Sequence, residues 1–160
     1  MKILGIDPGL VKTGFGVVKI VKEKKQVVDY GIIKPNSKTT LSKRLYTIYK
    51  DTKHIIEMHT PTVLSIEDIF YGKNIKSAIL LGQARGSVLV AAAEFNLSVY
   101  EYSPRKIKQS IAGNGNAHKE QVKYMVEKIL NVTLSKNQLD ASDALAIALC
   151  YEQQFRSGDL

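Results

Sequence analysis

An amphipathic stretch from Thr40 to His59 is cut off by Pro61 and followed at once by the apolar run Val63-Leu64-Ser65-Ile66-Glu67. In the first segment Leu41, Leu45, Ile48, Tyr49, Ile55, Ile56 and His59 recur mostly at three- and four-residue steps, the spacing of one helix face. A strand that returns directly after a helix lies parallel to an earlier strand, because a parallel pair needs a long crossover. Earlier strands are therefore required, and the N-terminal segment supplies them. Residues 3–6 form a short apolar run ending at Asp7-Pro8-Gly9, and Thr13 to Val21 carries Phe15, Val17 and Val18. Gln26 to Lys34 follows the charged turn Lys22-Glu23-Lys24-Lys25 and stops at Pro35, so three antiparallel strands precede the helix.

Beyond the fourth strand, Ile75 to Phe95 is helical in character but apolar nearly all round, so two of its faces want cover. One can pack on the sheet. The other, with Gly82, Gly86 and a series of alanines, admits a second copy of the chain across a two-fold axis, while a monomer would use it as a central core helix. Leu97 to Tyr102 reads as a fifth strand, followed by a short helix at Pro104 to Ile111 and the loop Gly113-Asn114-Gly115-Asn116. Helices from Lys119 to Leu130 and from about Ser135 to Gln153 complete the chain. The expected class is α/β: a mixed five-stranded sheet with helices on both faces, in one domain over residues 1–160.

Composition narrows the partners. An apolar fraction of 44 % and a charged fraction of 24 % exclude disorder over the whole chain. Twenty-three Lys and Arg against fifteen Asp and Glu leave +8, which favours an anionic partner such as nucleic acid, although a lysine-rich surface alone gives the same balance. The single Cys150 sits in the apolar run Leu145 to Tyr151 and reads as a core residue in a reducing compartment. The N-terminus lacks the apolar h-region of a signal peptide, and no window reaches about 18 uninterrupted apolar residues. A cytoplasmic protein without a membrane span is expected.

Four carboxylates stand out against this basic background. Asp7 ends an apolar strand immediately before Pro-Gly, where burial without a charge partner is costly; its bland role is to cap the turn. Glu67 closes the next apolar strand at its C-terminal end, the edge where open sheets collect ligands. Asp68 follows directly, but successive strand residues point to opposite faces, which favours Glu67 for a shared site. Asp140 and Asp143 are three apart, so on a helix they share one face about a turn apart, either as acids at a helix N-terminus or as a pair that a divalent cation relieves. Such a cluster is what two-metal phosphodiester cleavage requires, with the basic remainder holding the phosphate backbone.

Four ordered motifs carry a family resemblance over nearly the whole chain. They are Gly5-Ile6-Asp7-Pro8-Gly9 with Thr13-Gly14-Phe15-Gly16, Ile66-Glu67-Asp68-Ile69-Phe70 followed by Lys73-Asn74, Leu81-Gly82-Gln83-Ala84-Arg85-Gly86, and Asp140-Ala141-Ser142-Asp143-Ala144-Leu145-Ala146. Through them the sequence resembles the RuvC Holliday-junction resolvases, with their RNase H-like, retroviral-integrase-like fold. The resemblance implies that Asp7, Glu67, Asp140 and Asp143 form a catalytic tetrad binding two Mg²⁺ or Mn²⁺ ions, with Asp140 the position at which some members carry histidine. It implies basic residues beside the site at Lys108 and Lys119, and an aromatic at Phe70 that stacks on a base, with Tyr71 beside it. Lys73, Lys76 and Arg105 are further candidate DNA contacts. The implied partners are four-way junction DNA, a second copy of the chain, and branch-migration proteins of the RuvA and RuvB type. Two other readings share parts of the pattern: an RNA-directed RNase H-like enzyme of the YqgF type, and a nucleotide-binding protein of the actin and sugar-kinase type. A junction binder without catalysis is a third.

Overall fold

The computed structural model describes residues 1–69 and 74–159. Five strands, β1 (Lys2–Asp7), β2 (Thr13–Val21), β3 (Lys24–Ile33), β4 (Val63–Glu67) and β5 (Ser98–Tyr102), form one sheet in the order β3-β2-β1-β4-β5. β1, β2 and β3 pair antiparallel, whereas β4 lies parallel to β1 and β5 parallel to β4. The sheet is mixed, as the helix-then-strand order of the sequence requires.

Five α-helices cover it: α1 (Leu41–His59), α2 (Ile75–Glu94), α3 (Pro104–Ala112), α4 (Lys119–Leu130) and α5 (Leu139–Ser157), the last entered through a 3-10 turn at Lys136–Gln138. Their ends follow local chemistry. Thr40 caps α1 through its side chain, and Thr60 in the left-handed region ends that helix just before Pro61. Ser103 caps α3 with Pro104 at its first position, and Gly113 at φ 70° closes it.

Strand alternation divides the core between the two sheet faces. Leu4 and Ile6, with Val17, Leu64 and Ile66, pack against Ile48 and Ile55 of α1 and Ala84 and Val88 of α2. Ile3, Val18 and Val63 face Ile107 of α3, Val122 of α4 and the apolar length of α5. Cys150 is fully buried in this second core, and burial pushes its thiol up to about 11, so it behaves as a small apolar residue.

The β2–β3 hairpin is tighter than the sequence suggests. The expected four-residue charged turn is two residues, Lys22 and Glu23 at φ 46° and 67°, and Lys24 already pairs with Val21. A two-residue loop with both φ positive matches strand twist, and here it forms without the usual Gly or Asn. The helix α2 also departs from a simple core role. Ile75, Ile79 and Val90 remain largely exposed, and by length and apolar content α2 is the one described helix that could cross a bilayer. Its opposite face, with Ala84, Val88, Ala91 and Ala92, is buried against α1 and the sheet.

Candidate active site

Asp7 and Glu67 terminate neighbouring parallel strands. The β1–β4 register pairs Ile3 with Val63 and Ile6 with Ile66, which brings the two strand-end acids side by side. Both continue the alternation that points Ile3 and Val63 toward α5, and Asp68, one residue on, is exposed while its N–H donates to the Tyr102 carbonyl at 2.9 Å. The period of two thus selects Glu67 over Asp68, as read from the sequence.

The third acid arrives because α5 lies almost on the backbone of β1 and β2. An added Cβ at Gly5 would stand 2.1 Å from the Ala144 carbonyl oxygen, and one at Gly14 would stand 2.0 Å from that of Asp140. Only glycine admits this approach. Ser65 adds a tether, its hydroxyl donating to the Ile147 carbonyl at 2.8 Å inside the core. With α5 held so closely, Asp143 joins Asp7 and Glu67 in lining a pocket of about 210 Å³ whose other walls are Pro104, Ile107 and Lys108 of α3, Lys119 and Val122 of α4, and Ala146.

The electrostatics are those of crowded acids on a partly apolar floor. Burial, reinforced by the charges of Glu67 and Asp143 and opposed by Lys119, raises the Asp7 carboxyl to about 8. Burial and the Asp143 charge raise Glu67 to about 7 against the pull of Lys119 and Lys108. Asp143 is raised too, mainly by burial, even though its Oδ2 accepts a hydrogen bond from Lys119 Nζ at 2.9 Å. That bond in turn raises the Lys119 ammonium, keeping it charged. Three hard oxygen donors short of positive charge suit a divalent cation. Among the described residues no three such side chains stand close enough together, as placed, to hold a metal ion.

The fourth acid stands apart. Asp140, in the first turn of α5, does not line the pocket and lies 3.9 Å from the Lys12 ammonium. Its charge still bears on Asp7 and Asp143, so it stands at the rim. Of the other basic candidates, Lys108 faces the pocket, while Arg105 is exposed on the first turn of α3 with its side chain against Gly115. Lys76 is exposed on the first turn of α2. Phe70, Tyr71 and Lys73 lie outside the described residues. Sequence reasoning missed the apolar floor of Pro104, Ile107, Val122 and Ala146, and also the Lys12–Asp140 pair. The helical pattern of α3 and α4 marks those apolar residues as buried, but not as walls of a site.

This geometry has close relatives. A model of the family described as crossover junction endodeoxyribonuclease RuvC matches residues 3–151. The chain belongs to the RuvC family. A crossover junction endodeoxyribonuclease RuvC from Chloroherpeton thalassium is 49 % identical over 150 residues, covering 94 % of this chain and 81 % of the relative. The structure of Thermus thermophilus RuvC superposes with a TM-score of 0.90 at 33 % identity, covering 99 % of this chain and 97 % of that one. T. thermophilus RuvC in complex with Holliday junction substrate gives 0.91 at 33 % identity, covering 99 % and 96 %. The RNase H-like resolvase fold expected from the sequence is the fold observed, and family membership sets aside the YqgF-type and actin-type readings.

Proposed function

We propose that this chain is a structure-selective endonuclease that resolves four-way (Holliday) DNA junctions in homologous recombination and repair by paired, symmetric nicks. The observation that carries this reading is the pocket of Asp7, Glu67 and Asp143 with Lys108 and Lys119, set at the ends of the central strands of a RuvC-family chain. RuvC-family nucleases are metal-dependent, and the hard-oxygen donor set here fits Mg²⁺, or Mn²⁺, with two ions per site. Asp7, Glu67 and Asp143 would hold the metal, and Asp140 would add charge from the rim. Bound there, divalent ions supply Lewis-acid activation of water and stabilisation of the departing oxygen.

The chain's own groups do the rest. Lys119 and Lys108 offset acid charge and offer ammonium donors to a phosphate entering the pocket. The apolar walls Ile107 and Val122 limit water around the acids, strengthening each charge interaction. The net charge of +8, with Lys76, Arg105 and Lys73 among its carriers, supplies affinity for the junction backbone. Phe70, with Tyr71, stacks on a base at the junction centre.

A second copy of the chain covers the exposed apolar face of α2, giving a two-fold homodimer whose paired sites meet strands of like polarity. In the cytoplasm of a bacterium such a dimer works on junctions presented by RuvA and RuvB type proteins, with no membrane partner. The test is cleavage of a mobile four-way junction and a matched linear duplex, with Mg²⁺ or EDTA, by wild type and Asp7→Asn. Paired metal-dependent nicks in the junction alone, lost in the variant while junction binding persists, are expected. Binding without nicking by the wild type overturns the enzymatic reading.

A further inference from the structure

We infer that Arg85 is a positioning residue for the nuclease site: from α2 it grips the backbone at the end of β4 and so fixes where the Glu67 carboxylate stands. The inference rests on Glu67 being a site carboxylate. Arg85 Nε donates to the Glu67 carbonyl at 3.3 Å, and Nη2 of the same guanidinium forms an ion pair with Glu101 Oε2 of β5 at 2.5 Å. Glu67 itself is registered against Tyr102 of β5, and the next N–H, that of Asp68, donates to the Tyr102 carbonyl. One planar cation therefore joins α2 to the last residue of β4 and the penultimate residue of β5.

Its placement carries a cost that packing alone does not explain. The Arg85 side chain is only 13 % exposed, on a helix whose neighbouring inward residues are Ala84 and Val88. An apolar side chain would fill that space without desolvating a charge. A guanidinium can donate through Nε to the Glu67 carbonyl while its spread charge, at Nη2, keeps an ion pair with Glu101, which an ammonium on a flexible stem does less well. The contact is also reinforced one turn away, where Gly82 leaves Ile69 Cδ1 at 3.4 Å from the position of an added Cβ. The helix thus bears on the main chain at Glu67 and on the Ile69 side chain just beyond it.

Arg85 does not line the pocket, so it reaches the reaction only through the backbone. The Glu67 carboxylate points toward α5, whereas α2 packs on the opposite face of the sheet. Holding the Glu67 carbonyl from behind limits rotation of the strand end that aims the carboxylate, and catalytic geometry displaced by about 1 Å can cost on the order of 100-fold in rate. The same helix carries the exposed apolar face assigned to the second subunit, so subunit contact and carboxylate placement share one rigid element.

The experiment compares wild type with Arg85→Gln, Arg85→Lys and Glu101→Gln as full chains. It reads Mn²⁺ affinity by electron paramagnetic resonance, amide hydrogen exchange, single-turnover nicking, and junction affinity in EDTA. Arg85→Gln is expected to weaken Mn²⁺ binding by about 5- to 10-fold and slow nicking by about 10- to 100-fold, with junction affinity held within about 2-fold. The Asp68 amide should exchange about 10-fold faster while the β1–β2 amides do not change. Arg85→Lys should recover part of each loss. Glu101→Gln, at an exposed partner that the fold tolerates, should show a smaller shift in the same direction. Wild-type Mn²⁺ affinity and Asp68 exchange in Arg85→Gln overturn the proposal. So does a uniform rise of exchange across the sheet, with Glu101→Gln inert, because that is general destabilisation. A wild type that fails to nick refutes the resolvase reading instead, and the Asp68 exchange still decides on Arg85.

Discussion

At the residue scale the site is governed by what it costs to ionise Asp7. Its carboxyl sits near 8 in the folded chain against an ordinary 3.8, so between those values the folded state retains a proton that the unfolded state has lost. Without metal, stability therefore falls as pH rises from about 4 to about 8 and levels off above that. Asp7→Asn removes the Asp7 share of this dependence and leaves that of the raised Glu67 and Asp143 carboxyls. In EDTA the variant should match wild type below pH 4 and exceed it at pH 8 by on the order of 1 kcal/mol or more, since a tenfold change in a proton-binding equilibrium corresponds to about 1.4 kcal/mol. Urea unfolding at the two pH values checks this, and equal stabilities at pH 8 would remove burial as the cause. Added Mg²⁺ should favour wild type at pH 8 far more than at pH 5, because only the ionised cluster binds it. Phe70→Ala belongs to this scale as well. If the ring orders the junction by stacking, worth about 1 to 3 kcal/mol, cleavage drops more than binding; equal losses would assign it to holding its loop.

At the element scale the decisive contact is α5 on β1 and β2. Gly5, Gly14 and Gly16 leave no room for a side chain, the Cβ positions falling within 3 Å of Ala144, Asp140 and Leu145 atoms. Gly5→Ala should therefore push the helix off the strand, destabilising the protein by about 3 kcal/mol and separating Asp143 from Asp7. Thermal unfolding and nicking should fall together, and a variant with unchanged melting and activity would contradict the close approach. In the sequence these glycines sit inside runs read as strands, residues 3–6 and Thr13 to Val21, and nothing local shows why each must lack a side chain. Their use by a helix more than 120 residues later is a tertiary fact. The same holds for α2. Its low amphipathicity was legible as a helix needing two covers, whereas which residues stay outside, Ile75, Ile79 and Val90, follows from how α1 and the sheet take the other face.

At the scale of the whole molecule, charge and symmetry set the behaviour. Junction binding in EDTA should weaken steeply and log-linearly with salt, because counterion release from phosphates dominates the affinity of a chain of net charge +8. A flat salt response would place recognition in base contacts instead. The exposed apolar face of α2 predicts a sedimentation mass of twice 17.8 kDa at micromolar concentration, and Ile79→Glu should return the monomer with loss of paired nicking. A monomeric wild type would remove the two-fold arrangement.

The sequence by itself determined the order and type of the elements, the mixed sheet, the strand-end positions of Asp7 and Glu67, and the core role of Cys150. Each of these is written in periodicity, caps or breakers within a window of a few turns, as Thr40, Pro61, Ser103 and Gly113 illustrate. Tertiary structure alone decided which charges meet. Lys119 reaches Asp143 across 24 residues, Arg85 joins Glu67 to Glu101, and Asp140 turns to Lys12 at the rim although it shares a helix with Asp143. Such pairings depend on the distance and rotation between packed elements. Interdigitating side chains set those quantities across the whole core, and no local stretch of sequence contains them.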